Sequence, residues 1–246
     1  MKISIITATF NSAVSINDAI SSVENQSYNL IEHIIVDGGS IDETIQLIKQ
    51  TPNRVSKLIS EPDKGIYDAL NKGIKLATGD VIGVLHSDDE FYELDVLEKV
   101  MNIFQTTTAD IVYGDLVYVD KKKSKKIIRY WTNKPFKVVM LNFGWMPPHP
   151  ATFVRKEVFE KHGVYDASLK IAADYDFLLR IFKDPDLQKV YLPSILTRMR
   201  LGGASNKNLK FIFIKMKEDY FVLKRNKSVS LFTLFFKNIR KLSQFI

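Results

Sequence analysis

Two carboxylates stand side by side in His86-Ser87-Asp88-Asp89, directly after the apolar run Val81-Ile82-Gly83-Val84-Leu85. Adjacent like charges at a strand end repel one another and gain nothing unless a cation or a donor neutralises them. A hard divalent cation would bridge such a pair to a diphosphate and screen the charge that builds on a leaving group. A solvated turn, with one aspartate capping the next helix, explains the same doublet. Asp37 precedes Gly38 and Gly39, which let a ligand approach the backbone closely, and its carboxylate is an acceptor for a base N–H. A plain strand-to-helix turn reads equally well there. Asp174 and Asp176 enter a helical pattern, where carboxylates cap a helix and offset its dipole. In a pocket, one of them would deprotonate a hydroxyl nucleophile.

The elements that must hold these groups alternate. Residues 2–9 are a short β-branched run broken at Phe10-Asn11-Ser12, and residues 15–26 carry Ile16, Ala19, Ile20 and Val23 at helical spacing. Residues 32–37 predict a second strand, after which Ser40 and Glu43 have the spacing of a capping box. A third strand over 55–60, a helix over 66–77 and a fourth strand over 81–85 follow. Farther on come a helix over 95–105, a hairpin of 110–120 and 126–131, and a loop over 143–150 dense in aromatics and prolines. Helices over 156–162 and 172–182 and a strand near 189–192 complete the pattern. Apolar strands alternating with helices predict a parallel sheet covered on both faces. Ligands of such sheets bind beyond the carboxyl ends of the strands. Those ends read Thr7-Ala8-Thr9, Asp37-Gly38-Gly39, Ser60-Glu61-Pro62-Asp63 and His86-Ser87-Asp88-Asp89, so polar and acidic groups converge on one edge.

A chain of 246 residues fills one substantial core, or one core with a small appendage. Its 46% hydrophobic and 26% charged residues exclude disordered and collagen-like classes. With no cysteine there is no thiolate metal site and no cysteine nucleophile, so a metal must sit on Asp, Glu, His or backbone oxygen. The composition fits a reducing cytosol. Neither a Walker A loop nor a GxGxxG fingerprint is present, which disfavours P-loop ATPases and dinucleotide-binding enzymes. The short apolar run Ile3-Ser4-Ile5-Ile6 predicts no signal peptide, and no apolar stretch approaches the ~20 residues of a membrane span.

Several segments, taken in order, resemble the family 2 glycosyltransferases of the GT-A fold. They are Ser4-Ile5-Ile6-Thr7-Ala8-Thr9-Phe10-Asn11, Ile35-Val36-Asp37-Gly38-Gly39-Ser40-Ile41-Asp42-Glu43-Thr44 and Glu61-Pro62-Asp63-Lys64-Gly65-Ile66-Tyr67-Asp68-Ala69-Leu70-Asn71-Lys72-Gly73. Ala77-Thr78-Gly79-Asp80, Ser87-Asp88-Asp89, His149-Pro150-Ala151-Thr152-Phe153 and Ala173-Asp174-Tyr175-Asp176 extend the match. The resemblance covers residues 2–205 and implies an α/β, Rossmann-like GT-A domain whose mixed, mainly parallel sheet is flanked by helices. Residues 1–90 would form a nucleotide-binding half, residues 91–205 an acceptor-binding half, and residues 206–246 a basic amphipathic helical extension.

The implied activity is transfer of a sugar, with inversion, from a nucleotide-diphosphate sugar to a hydroxyl of a glycan or lipid-linked acceptor. UDP is the nucleotide commonly used, Mn2+ or Mg2+ the cofactor, and cell-surface polysaccharide synthesis the setting. By resemblance, Thr7, Ala8, Thr9, Asn11 and Asp37 hold the nucleoside, with Asp37 facing the base, and Asp63 and Lys64 lie near the base and phosphates. Asp89 is the implied metal ligand of a DxD-type site, Asp88 lies closer to the ribose or sugar or shares the metal, and Asp174 is the base. Arg200 and Ser205 would belong to a loop that closes over the diphosphate. Ala173 stands where many family members carry Glu, and His86 where Asn or a small residue is commoner. His149, after Met146-Pro147-Pro148, would contact the diphosphate or the metal, or else satisfy a local carbonyl. Trp145 would stack on a sugar or fill the core, and Asp176 is grouped with the acceptor side.

From residue 209 the chain alternates Phe211, Ile212, Phe213, Ile214, Met216, Tyr220, Phe221, Val222 and Leu223 with Lys210, Lys215, Lys217, Lys224 and Arg225. Such a helix suits an anionic membrane surface, which would place the protein in the cytoplasm, peripheral at the inner face of the membrane. Packing on the domain with solvated lysines is the other reading. The net charge is +7, yet acidic strand ends leave no basic groove on the sheet, and no nucleic-acid partner is expected. A sugar-nucleotide pyrophosphorylase would carry a glycine-rich basic loop where Thr7-Ala8-Thr9-Phe10-Asn11 stands. An inactive scaffold or basic surface-binding protein would have no use for Asp37, Asp89 and Asp174 together.

Overall fold

In chain order the elements are β1 (Ile3–Thr9), α1 (Ile16–Glu24), β2 (Ile31–Asp37), α2 (Thr44–Gln50), β3 (Val55–Ser60), α3 (Ile66–Leu76), β4 (Val81–Val84), β5 (Glu90–Phe91) and α4 (Val96–Thr106). They continue with β6 (Ile111–Val119), β7 (Ile127–Trp131), α5 (Val139–Asn142), a 3-10 turn (His149–Ala151), β8 (Thr152–Arg155), α6 (Lys156–His162), α7 (Ala173–Lys183), β9 (Lys189–Arg200) and α8 (Leu209–Arg225). The computed structural model describes residues 1–120, 126–201, 209–227, 233–234 and 236–237.

Among them, one sheet runs β3-β2-β1-β4-β8-β6-β9-β5, with β7 paired to β6. Its first half is parallel: β1 lies between β2 and β4, and β3 borders β2. Beyond β4 the sheet is mixed. β8 runs antiparallel to both β4 and β6, whereas β6 and β9 are parallel.

Side chains of β1 alternate between two apolar layers. Ile6 and Ala8 pack with Tyr67, Leu70 and Ile74 of α3, while Ile3 and Ile5 face Ala19 and Val23 of α1 and Val100 and Phe104 of α4. Each fully buried aliphatic side chain contributes ~1.5–3 kcal/mol. The strand centres therefore carry the stability, and the loops at the strand ends can hold polar groups that add little to it.

Two local expectations change. The Ser40–Glu43 capping box does not form: α2 starts at Thr44, whose backbone N–H donates to Asp42 (3.0 Å), and Ser40 turns back to Asp37. The strand near 189–192 continues to Arg200, and β8 is a further strand at the middle of the sheet. Of the two readings left open for the tail, packing on the domain holds along one side of α8, where Val222 and Leu223 lie in the same apolar cluster as Phe177 and Phe182 of α7. No described helix is long and apolar enough to cross a membrane.

Candidate active site

Register brings the carboxyl ends of the parallel strands level: Thr9 pairs with Asp37, and Asp37 with Ser60. Asp37 is fully buried. Its Oδ2 accepts hydrogen bonds from Gly39 N (3.0 Å), Ser40 N (2.9 Å) and the Ser60 hydroxyl (2.7 Å), and its Oδ1 accepts the Ser40 hydroxyl. Beside it, a Cβ on Gly38 would stand 2.5 Å from Asp63 Oδ2, so the two loops touch there.

Asn11 adopts the left-handed conformation (φ 48°) and ties two loops into one wall. Its backbone N–H donates to Ser40 Oγ (2.7 Å) and its Oδ1 accepts from Ile41 N (3.0 Å). Ser12 continues that wall to the acidic pair, with its Oγ 2.9 Å from Ser87 Oγ. Lys64 is exposed at the rim.

Asp89 is fully buried, and among the described residues neither carboxylate oxygen has a side-chain hydrogen-bond partner, the Arg200 backbone N–H being the donor that bears on it. Burial, and next the charge of Asp88, push its carboxyl well above the usual carboxylate range, and nearby Arg200 offsets this only in part. A buried carboxylate so short of donors is costly, whereas a bound cation would satisfy both oxygens. The residues present therefore fit a divalent cation held by Asp89 with Asp88. No three His, Cys, Asp or Glu side chains among the described residues converge on one point, so a cation here would take further ligands from phosphate or water.

His86 and His149 stand with their rings 5.9 Å apart. Burial lowers both, His149 to about 3, so each imidazole is neutral at pH 7. His149 Nε2 is hydrogen-bonded to the Tyr165 hydroxyl at 2.6 Å. Asp174, in the first turn of α7, accepts at Oδ1 from Tyr175 N (2.7 Å) and the Tyr67 hydroxyl (3.2 Å). Its charge bears on His86, as does that of Asp88, and on Tyr118, as does that of Asp89.

Residues 4–163 match the profile of Glycosyl transferase family 2. The chain belongs to that family. It is 33% identical over 217 residues to a PGL/p-HBAD biosynthesis glycosyltransferase of Mycobacterium bovis (strain BCG / Pasteur 1173P2), across 86% of its own length and 82% of the relative's. Its fold is similar to that of S. aureus TarS 1-349 in complex with UDP-GlcNAc (TM-score 0.70, 16% identity, 91% of this chain and 66% of that one). It spans 39% of a longer S. aureus TarS chain. Mannosyltransferase PcManGT from Pyrobaculum calidifontis, in complex with GDP-Man and Mn2+, is similar at TM-score 0.70 and 14% identity, over 99% of this chain and 70% of that one. At such identities these structures show the fold, which is GT-A, and the protein is a glycosyltransferase.

Not every residue expected in this family 2 glycosyltransferase's site reaches it. Thr7 and Ala8 lie buried within β1, with the Thr7 hydroxyl 3.0 Å from His33 Nε2; Thr9 is buried at the strand end, its hydroxyl unpartnered among the described residues. Asp37 ties its own loop to β3 through Ser40 and Ser60. Trp145 is packed among Tyr113, Phe136 and Phe182 (centroids 5.7, 5.7 and 5.8 Å), which leaves no ring face for a sugar. Residues two apart on a helix point about 200° apart, and Asp176 accordingly turns away from Asp174. It is fully buried against Arg180 (3.1 Å), Arg225 (2.6 Å) and Asn226 (3.0 Å). Arg200 ends a strand, paired with Asp18 and with Glu90 (3.0 Å), so it belongs to no loop here; Ser205 lies outside the described residues. The structure adds Ser12, Tyr67 and Tyr165, whose partners lie far away in the chain.

Proposed function

We propose that this glycosyltransferase takes a sugar from a nucleoside diphosphate donor, a UDP-sugar first among them, and passes it with inversion to a hydroxyl of a glycan or lipid-linked acceptor. The observation that carries this reading is a buried carboxylate at a strand end, Asp89, with no side-chain donor among the described residues, near enough to Asp174 that both charges bear on Tyr118. Complexes of similar folds with UDP-GlcNAc and with GDP-Man and Mn2+ support a nucleotide-sugar donor and a divalent cation.

Asp174 Oδ1 is engaged by Tyr175 N and Tyr67, which leaves Oδ2 to take a proton. As the acceptor oxygen bonds to the anomeric carbon, its proton passes to Asp174 and the bond to the diphosphate breaks. A single displacement from the opposite face inverts that carbon. Mn2+ or Mg2+, held by Asp89 and Asp88, would supply charge against the departing diphosphate. The neutral His86 and His149 line the space without competing with a cation. Asn11, Ser12, Gly38, Asp63 and Lys64 form the wall for the nucleoside, which Asp37 keeps in shape.

The outward side of α8 supports a peripheral position at the cytoplasmic face of a membrane, where a lipid-linked acceptor is within reach. Phe213, Met216, Lys217, Tyr220, Phe221 and Lys224 are all exposed there. Family membership sets the pyrophosphorylase reading aside, and the inactive scaffold is the rival to test. Calorimetric titration of UDP, dTDP and GDP, with Mn2+ and then EDTA, is expected to show one nucleotide binding only with metal. Asp89→Asn should lose that metal dependence. Folded protein that binds none of the three overturns the donor site.

A further inference from the structure

Helix α7 begins without a side-chain cap, because its N-cap residue is Ala172. The first backbone N–H groups of a helix have no intrahelical acceptor and need one from elsewhere. For the N-cap donor, Ala172 N, and for the two N–H groups just ahead of the helix, it comes from α8. The Glu218 carboxylate accepts three successive backbone N–H groups: Lys170 N at Oε1 (2.9 Å), and Ile171 N (2.9 Å) and Ala172 N (3.0 Å) at Oε2. Three consecutive peptide planes are thereby fixed, two residues ahead of Asp174. The Ile171 carbonyl between them accepts the Tyr67 hydroxyl at 2.7 Å, so this turn is held from both sides.

Helix α8 has the rigidity to serve as an anchor. Val222 and Leu223 are buried in the core, and Arg225 bonds Asp166 and Asp176 at 2.6 Å each. Asp219 pairs with Lys237 at 2.7 Å, and that ammonium lies over the ring of Tyr175, the neighbour of Asp174. A carboxylate on such a frame restrains the turn more firmly than solvent would, since bonds to an ionised acceptor are shorter and stronger than neutral ones.

We propose that Glu218 is a positioning residue for glycosyl transfer, holding the 170–172 turn so that Asp174 meets the acceptor oxygen. The inference rests on the reading of Asp174 as base. Misplacing a reacting group by about 1 Å costs on the order of 100-fold in rate. Glu218→Gln keeps one acceptor oxygen and replaces the other with an amide that cannot accept, and Glu218→Ala removes both.

The test measures nucleotide released by the full chain from UDP-GlcNAc, UDP-glucose, GDP-mannose and dTDP-glucose with Mn2+, water serving as acceptor. Amide hydrogen exchange over residues 170–176 is followed in parallel and needs no donor. Glu218→Gln is expected to lower kcat about tenfold or more, with KM for the donor within about twofold, and to speed exchange across the turn. Glu218→Ala should lose more. Val100→Ala, in the apolar layer between α4 and β1 and away from α8, should lower the melting temperature while retaining most of kcat. In an Asp174→Asn background Glu218→Gln should cost nothing further, because residues acting as a unit are not additive. Full kcat in Glu218→Gln, unchanged exchange, or an additive loss in the double variant would overturn the inference. Asp174→Asn working at the wild-type rate would instead overturn the base, which separates the two failures.

Discussion

The Tyr67 hydroxyl lies 2.7 Å from the Ile171 carbonyl oxygen and 3.2 Å from Asp174 Oδ1, so one proton serves both the turn and the carboxylate. Burial, and next the charge of Asp174, push the Tyr67 phenol well above its ordinary range, so it remains a donor at every pH at which the protein would work. Tyr67→Phe removes that donor and keeps the ring that packs against Tyr165 (centroids 5.8 Å). A hydrogen bond to a charged group contributes ~1.5–3 kcal/mol, and the longer, shared bond to Asp174 belongs at the low end. The expected result is a fall in kcat of about tenfold, with donor KM little changed. Steady-state nucleotide release measures it, and an unchanged kcat removes Tyr67 from the site.

Two buried histidines make the fold sensitive to acid. His33 is fully buried, with Nε2 on the Thr7 hydroxyl, and burial lowers its pKa to about 4. An unfolded histidine titrates near ~6.5. Between those values the unfolded chain binds a proton that the native state refuses, so stability present above the unfolded value is lost as pH falls towards about 4. The loss from His33 reaches ~3 kcal/mol at most. His149, lowered to about 3, adds a second proton over the same window. Urea unfolding from pH 7 to pH 4 should show this slope, and His33→Gln should reduce it by about one proton. A slope that His33→Gln leaves intact would mean that His33 is protonated in the fold.

How much could be read from residue order depended on the range of the interactions. Strands β1, β2 and β4 are continuous apolar runs covered on both faces, and α1 and α3 carry their apolar residues at helical spacing, so local pattern suffices for them. Strand β9 defeats that pattern because Pro193 interrupts it. The sheet absorbs the interruption with a register shift opposite Gly114, where an added Cβ would meet Ser194 O at 2.8 Å. Asp89 and Asp174 are legible as charged groups without a local purpose. The hydrogen bond of Asp37 to Ser60 is not legible, since Ser60 belongs to another strand. Trp145 has the composition of a sugar platform, but Tyr113, Phe136 and Phe182 close over it from separate segments. Glu218 has no signature at all, because its three partners lie 46 to 48 residues earlier.

Helix α8 packs on the domain along one side and leaves the other exposed, which is the side the membrane reading concerns. Its inner side is committed to the core through Val222 and Leu223, whereas Phe213, Met216, Lys217, Tyr220, Phe221 and Lys224 recur at 3, 4, 7, 8 and 11 residues from the first and form one outward stripe. Aromatic residues interleaved with lysines suit the headgroup boundary of an anionic bilayer, where buried apolar area and charge act together. Because the inner side is already packed, membrane attachment should leave the fold unchanged. Flotation of the full chain with phosphatidylglycerol vesicles at low salt is expected to carry the protein upward, and phosphatidylcholine vesicles should carry far less. Each lysine near an anionic surface contributes ~1 kcal/mol, which salt screens. Lys217→Glu with Lys224→Glu should therefore abolish flotation while leaving donor turnover intact, and Phe213→Ser should weaken it at any salt concentration. Protein that remains at the bottom of the gradient on anionic vesicles at low salt would refute the surface role of this helix.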